Sequence, residues 1–381
     1  MTKIGFAVGY YDSVTGAQRS MMVLAANANI DKSTILLPSH GALSEYAKSE
    51  NIHCEVIPYA DRLDKFDKEL LDSSSTEKLL YGSDLMRYHT RLIRHLMKEE
   101  YDIIYCNDTR SVILFALPAK LLGIPIISYV GNDSPLGIFD RYRIRIADKI
   151  MCNTDGVRSR FEPNDVERYR HKFQTINTGV DLQNFNPEHG YAENDSEVLQ
   201  ITQVATIQER KGQKILLEAI SNIDGDIAPY NVNFAGNTPP GSESYNQELR
   251  YLAEKYEIDD NVTFMGWVED IHELLNKSDI FILPSQNEGL PRSLLEAAAM
   301  KLPLIATPAG GATDIVKDGS TGYIVEFEDP DDLAAKIRIL AENEQLRSEF
   351  GTKAQELVQN QFSREIYVQR FEEFVSEIDD S

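Results

Sequence analysis

Short apolar runs alternate with longer helical stretches along the whole chain, and no other feature limits the fold as tightly. In the first half the runs are Ile4–Tyr10, Thr34–Leu37, Cys54–Tyr59, Ile103–Asn107, Ile126–Val130 and Lys149–Asn153. In the second half they are Leu199–Ala205, Asn231–Ala235, Val262–Met265, Ile280–Leu283, Leu304–Thr307 and Gly322–Val325. Helical stretches fill the gaps, among them Thr76–Glu100 and Ser111–Leu122. Strands that alternate with helices predict parallel sheets covered on both faces. At 381 residues the chain is too long for one core, so about two domains are expected. The fold class is therefore α/β: two doubly wound, Rossmann-like domains whose parallel sheets face a cleft. The polar stretch "NPEHGYAENDSE", residues 186–197, carries Pro and Gly and reads as the linker. The last stretch, "FSREIYVQRFEEFVSEIDD", is amphipathic, with Ile366, Phe371, Phe374 and Val375 as its apolar positions.

Composition removes several classes of function. Hydrophobic residues make up 42% and aromatics 9%, as in a globular chain. No apolar run approaches the roughly 18–20 residues of a membrane span. The start, "MTKIGFAVGYYDS", reads as a short strand and lacks a secretory layout. The expected location is cytoplasmic, with room for peripheral contact at the inner face of the cell membrane. Cys54, Cys106 and Cys152 lie in apolar runs without metal-ligand spacing and read as buried, reduced thiols. A net charge of -23 argues against bulk affinity for nucleic acid or anionic lipid. From Arg141 to Lys172, however, nine Lys/Arg stand against five Asp/Glu. This patch reads either as a solvated helix face or as a docking place for an anionic lipid or a phosphorylated acceptor.

Two stretches carry the candidate chemistry. "PSQNEGLPRSLLEAAAMKLP", residues 284–303, places Glu288 in a loop after a strand and Glu296 about one turn into the next helix. Ligands of open parallel sheets sit beyond the carboxyl ends of the strands. A carboxylate there accepts two hydrogen bonds from a vicinal diol, such as ribose or a sugar ring. The bland alternative is an acid favoured by the helix dipole plus one solvated helix Glu. "VATIQERKGQKILLEA", residues 204–219, places Arg210 and Lys211 between a strand and a helix start. Cations beside free helix N–H groups form a clamp for a diphosphate; the alternative is an ordinary basic loop pair. Diol, diphosphate and sugar together describe a nucleotide sugar.

Six segments in order extend this: "GAQRSMMVLA", "NTGVDLQNF", "RKGQKILLEA", "VNFAGN", "VTFMGWVEDIHELLNKSDIFILPS" and the Glu288–Glu296 region through "GGATDIVKDGSTGYIV". Together they resemble the retaining glycosyltransferases of GT-B fold, of the family-four, glycosyl transferases group 1 type. The resemblance covers nearly the whole chain. It implies a first, acceptor-side domain over 1–182, a donor-binding domain over 183–362, and a closing segment, 363–381, that crosses back onto the first. It matches Glu296 to the acid on the ribose hydroxyls and Glu288 to the acid at the transferred sugar. Gly289 and Leu290 match backbone positions at sugar and phosphate, and Lys211 matches the lysine on the diphosphate. Gly16 matches the glycine-rich turn that approaches the phosphate. Gly266 and Trp267 fall where the family frames the base; Trp267 reads equally as a stacking or a core residue. The family often has Gly-Arg at Ala205-Thr206, so Arg210 is the substitute for the arginine that Thr206 replaces. Gly131-Asn132-Asp133 stands where the family often has a histidine, with Asp133 as its stand-in. Thr178 and Asp314 replace the usual Asn and Glu.

The resemblance further implies a retaining transferase that needs no cofactor and no metal, with Glu288, Lys211, Arg210 and Asp133 as its catalytic set. Asp331-Asp332 and Asp379-Asp380 do not form the Asp-x-Asp pair of a metal-dependent transferase. The donor would be a UDP-sugar or, next, a GDP-sugar. The acceptor would be a glycan, a lipid-linked glycan or a small molecule. The competing reading is a nucleotide-sugar binder that has lost catalysis. A retaining glycosidase leaves Arg210 and Lys211 unexplained. A solute-binding protein would need an export segment. A dinucleotide dehydrogenase would need G-x-G-x-x-G after the first strand, where "VGYYDSVTGAQ" has other spacing.

Overall fold

A computed structural model of the chain describes residues 2–65, 70, 72–187, 198–223, 225, 227 and 229–379. Most of the expected linker (188–197) and Asp380 lie outside the described residues. The chain forms two compact units, Met1–Thr178 with Glu365–Ser381, and Gly179–Arg364.

In the first unit the strands are β1 (Lys3–Ala7), β2 (Lys32–Leu37), β3 (Cys54–Val56), β4 (Ile103–Cys106), β5 (Ile126–Val130), β6 (Lys149–Cys152) and β7 (Phe173–Thr175). They pair in the order β3-β2-β1-β4-β5-β6-β7, all parallel. The order reverses between β1 and β4. Two expected strands, Ile4–Tyr10 and Cys54–Tyr59, overrun the ladder because their apolar runs continue past its last pair. Val8 and Ile57 still donate from beyond it, to Leu36 O and Leu37 O. β7 is only three residues long, with Phe173 as its one apolar position, too short a run to stand out in the sequence.

Three helices of this unit start where a side chain takes a free backbone N–H. Thr15, Ser74 and Asp108 cap the helices Gly16–Asn27, Ser75–Glu99 and Thr109–Leu121; losing such a cap costs about 1 kcal/mol. The sheet has a core on each face. Helices Ser75–Glu99, Thr109–Leu121 and Ile138–Ile146 supply Tyr88, Leu92, Phe115 and Ile144 to one. On the other face, Met21 of helix Gly16–Asn27 packs with Phe6, Tyr105 and the closing helix Arg364–Asp379. That closing helix buries Tyr367, Phe371, Phe374 and Ile378. The stripe repeats at i, i+4, i+7 and i+11, as an amphipathic helix requires. Ile366 is only half-buried, whereas Tyr367 carries the position. Cys106 and Cys152 are buried, but Cys54 is half-buried at the edge strand. Burial still pushes its thiol up to about 11, so it remains protonated at neutral pH.

In the second unit the strands are β8 (Leu199–Val204), β9 (Tyr230–Ala235), β10 (Val262–Gly266), β11 (Ile280–Leu283), β12 (Leu304–Ala306) and β13 (Gly322–Ile324). Their order is β10-β9-β8-β11-β12-β13, again all parallel. Here the reversal lies between β8 and β11. Ile201, Ile282 and Leu216 sit in the core on one face, and Phe281, Leu294 and Leu295 in the core on the other. Val180 N donates to Phe362 O at 2.8 Å and Arg364 N to Val180 O at 2.9 Å, so the two ends of this unit run side by side.

The closing helix generates a test. Phe371→Ala removes a fully buried ring from the first unit's core, at an expected cost of about 3–5 kcal/mol. Ile366→Ala on the same helix should cost far less. Chemical unfolding of the two variants, followed by circular dichroism, measures the difference.

Candidate active site

The reversal between β8 and β11 leaves a gap at their carboxyl ends that no connection covers, which is where open α/β sheets bind ligands. Two loops meet there. The first follows β8 and holds Thr206, Arg210 and Lys211; the second follows β11 and runs from Pro284 to Pro291. They are joined residue by residue. Gln286 N donates to Arg210 O at 2.8 Å. Arg210 Nη1 reaches toward Asn287 O at 3.5 Å. Lys211 Nζ donates to Glu288 Oε1 at 2.5 Å.

Two glycines allow this approach. Gly212 has φ 70°, and a Cβ there would lie 1.9 Å from Pro284 O. Gly310 has φ 52°, and a Cβ there would lie 1.8 Å from Glu288 O. Both positions exclude side chains on conformation and on space. Next to Gly310, Gly311 N donates to Gly289 O at 2.6 Å and holds the loop from its other side. Gln203 Nε2 donates to Lys211 O at 2.7 Å, and Gln213 Nε2 to Thr206 O at 2.9 Å.

The pair of Lys211 and Glu288 is largely buried. Burial pulls the lysine below its ordinary value; the Glu288 carboxylate opposes this, and the nearby Arg210 cation adds to it. Arg210 itself is exposed. The structure thus brings together Arg210, Lys211 and Glu288. Thr206 is exposed beside them, its hydroxyl 3.2 Å from Gln208 Oε1.

Glu296 lies on helix Arg292–Ala299, which Pro291 opens. Leu294, Leu295, Ala297 and Ala298 face the core, which leaves Glu296 on the partly open side, 3.7 Å from Arg292 Nη2. Leu290 is buried, so only its backbone is available at the loop. Gly266 ends β10 with φ 65°, and its carbonyl accepts from Gly236 N at 2.8 Å. Trp267 follows it and is 64% exposed. A core role for this tryptophan is therefore ruled out; it stands on the surface just past the end of the outermost strand.

Gly16 and Asp133 belong to the first unit. Gly16 opens helix Gly16–Asn27 and is exposed. Asp133 is half-buried in the segment after β5. The carboxyl edge of this sheet holds polar residues that pattern reading passes over. Gly9 N donates to Asp108 Oδ2 at 2.8 Å, and the Arg110 guanidinium lies 4.2 Å from the Tyr10 ring centre. Burial raises the Asp108 carboxyl against the pull of these backbone hydrogen bonds. Deeper in, Arg160 donates to Asp140 Oδ1 at 2.7 Å and to Asn132 Oδ1 at 2.8 Å. Arg143 is 1% exposed and donates to Thr109 Oγ1. Burial, helped by the Arg160 charge, lowers its guanidinium to about 10.

These arginines change the reading of the Arg141–Lys172 patch. Arg143 and Arg160 point inward, and Lys172 donates to the Ile144, Arg145 and Ala147 carbonyls. The patch is a surface feature only in part. The available signal is the two-residue spacing of Arg141, Arg143 and Arg145, which puts Arg143 on the side of the helix away from the other two.

Two family models match the chain: Glycosyl transferases group 1 over residues 188–357, and Glycosyltransferase Family 4 over residues 42–184. The chain is similar to the UDP-Gal:alpha-D-GlcNAc-diphosphoundecaprenol alpha-1,3-galactosyltransferase of Escherichia coli, with 26% identity over 65% of this chain and 68% of that one. It is also similar to the N-acetyl-alpha-D-glucosaminyl L-malate synthase of Bacillus anthracis, with 24% identity over 65% of this chain and 64% of that one. Among solved structures, HepE of Anabaena in complex with UDP superposes with a TM-score of 0.82 at 19% identity, over 99% of this chain and 100% of that one. Two parallel Rossmann-like units of this topology define the GT-B fold. The chain belongs to the glycosyl transferases group 1 and is a glycosyltransferase of that family.

Gly310 supplies a test of the loop geometry. Gly310→Ala should destabilise the protein by roughly 2–5 kcal/mol, the combined order of a left-handed residue and an overpacked contact. Urea unfolding would show it. An unchanged midpoint would mean the Glu288 loop does not need this approach.

Proposed function

We propose that the protein moves a sugar from a nucleoside diphosphate sugar to an acceptor hydroxyl with retention of configuration and without a metal. The observation that supports this best is the contact of Lys211 with Glu288 at 2.5 Å, across two loops at the β8/β11 gap. A buried ammonium held by one carboxylate is set to exchange that partner for a stronger anion. On donor binding, the diphosphate replaces Glu288 as the counter-ion of Lys211, with Arg210 on its exposed side. Glu288 is then released toward the transferred sugar, and Glu296 takes the ribose diol. Thr206, Gly289 and the Leu290 backbone line the phosphates, and Gly266 and Trp267 frame the base.

As the glycosidic bond breaks, negative charge grows on the leaving diphosphate. Lys211, Arg210 and the N–H groups at the helix start stabilise it, and preorganised charge of this kind is a large catalytic term. The acceptor hydroxyl attacks on the side the diphosphate leaves, and a phosphate oxygen takes its proton. Gly16 approaches the donor phosphate and lets the acceptor in, and Asp133, also in the first unit, serves the acceptor. A UDP-sugar is the first choice of donor, supported by the UDP complex of HepE, with a GDP-sugar next. A lipid-linked acceptor draws support from the E. coli relative, whose name specifies a diphosphoundecaprenol-linked sugar. The second reading, a binder without turnover, draws on the missing histidine at Gly131-Asn132-Asp133.

A thermal-shift panel of nucleotides and nucleotide sugars tests the donor site. A ligand at about a hundred times its Kd adds about 2.7 kcal/mol to stability. Glu288→Gln should keep the UDP-induced shift while transfer or donor hydrolysis falls by roughly 10²–10³-fold. Lys211→Ala should lose the UDP shift. Wild-type turnover in the first variant, or an intact shift in the second, would remove the assigned role, and no turnover by the native enzyme with any donor would favour the binder. Incubation with EDTA should leave turnover unchanged; loss with rescue by a divalent ion would overturn the metal-free scheme.

A further inference from the structure

We propose that the helical layer Ser75–Glu99, Thr109–Leu121 and Ile138–Ile146 docks on the surface of an anionic phospholipid bilayer. The three helices lie side by side on one face of the first sheet. Between them they carry ten Lys or Arg against four Asp or Glu, a local charge of +6 in a chain whose total is -23. A positive layer in so acidic a chain suits an anionic counterpart.

Eight of the ten cations are outward; Arg110 and Arg143 are buried. Arg87 and Lys98 have side chains 80% and 81% exposed, and Arg91 and Arg94 are exposed beside them. Asp84 is shared between Arg62 and Arg87, and Lys98 and Lys120 have exposed ion pairs with Glu99 and Asp148 that a lipid phosphate can replace. Among these cations stand large apolar side chains open to solvent: Met86 at 72%, Met97 at 63% and Leu121 at 67%. Single exposed apolar residues are ordinary, but these are aligned. Met86 and Met97 are eleven residues apart, three turns on one stripe. His89 Nε2 lies 3.4 Å from Ile113 O, which fixes the level of the two longer helices against each other. Each helix leads into a parallel strand, β4 or β5, so both run toward the amino edge of the sheet. Met97 and Leu121 both lie eight residues beyond that contact, about 12 Å along their axes. They therefore stand at one level, with Lys98 and Lys120 next to them.

Apolar side chains within a cationic field suit a bilayer, where methionine and leucine enter the acyl boundary and arginine and lysine meet the lipid phosphates. Nucleic acid would leave the apolar stripe unused. Among the described residues no helix is long and apolar enough to cross a membrane, so the contact is peripheral. The proposal deepens the function above by giving the acceptor a membrane carrier. It is tested without turnover, so the two can fail separately.

The experiment is co-sedimentation of the full chain with vesicles of phosphatidylcholine alone, or of phosphatidylcholine with phosphatidylglycerol. The chain should bind only the second kind, and less as salt rises. Each cation near such a surface is worth roughly fivefold in affinity, so Arg87→Glu with Arg94→Glu should weaken binding by at least about 25-fold. Met86→Ser with Met97→Ser should weaken it while leaving the salt dependence. Both variants should keep the native melting point and the UDP-induced shift. Equal retention on both vesicle types, or native binding by the variants, would overturn the proposal. So would a dimer in solution that these substitutions dissolve, since the face would then belong to a second copy.

Discussion

In a parallel sheet every strand delivers its carboxyl end to the same edge, and every connection must return to the other. Where the strand order reverses, the two connections leave in opposite directions and nothing fills the space between them. In the second unit that space lies between β8 and β11, and the chain uses it to bring residues 77 positions apart into contact. Lys211 and Glu288 meet there only because Gly212 and Gly310 let the loops close on main chain rather than side chain. A largely buried ion pair is a poor device for stability, since desolvation offsets much of the attraction. Burial lowers the lysine and the Glu288 carboxylate opposes this; under the proposed function a diphosphate would take over the part of that carboxylate.

Much of this arrangement is legible in the chain. Ile280–Leu283 can be read to the residue because Asp279 and Pro284 bound it on either side. The helix after it is recognisable from the Leu-Glu-Ala run, and Glu296 from its place in that run. Arg210, Lys211 and Glu288 each point to phosphate or sugar. Their mutual contact is not legible, because it depends on loop closure, and loop closure depends on glycines whose positive φ has no signature in composition. Trp267 is ambiguous in the sequence for a related reason. An aromatic after a strand can turn either way, and here the left-handed Gly266 turns it out.

The arginines of the first unit mark the limit of reading charge by counting. Arg141, Arg143 and Arg145 alternate along a short helix and count alike as basic charge. Yet Arg143 is buried between Thr109 and Arg160, while Arg141 and Arg145 are exposed. An inward arginine needs acceptors from elements far away in sequence, here Thr109, with Asp140 and Asn132 holding its neighbour Arg160. A positive patch defined along the sequence therefore loses its deepest members to the fold. Positive charge at the surface gathers instead on Ser75–Glu99, a helix in which five cations stand among three acids and two of those acids are already paired by several bases.

Both features come from one architectural division of labour. The carboxyl edge of a doubly wound unit holds the loops, where small residues and polar side chains can be exchanged without disturbing the ladder. The helical layers hold the core with their inner stripes and leave their outer stripes free. Phe115 and Leu92 can keep the first sheet covered whatever stands at Arg94 or Leu121. The outer stripe is therefore the part of the unit with the fewest folding demands on it. An apolar and cationic outer stripe in a chain this acidic lacks a folding reason, and that makes an interaction the economical explanation for it.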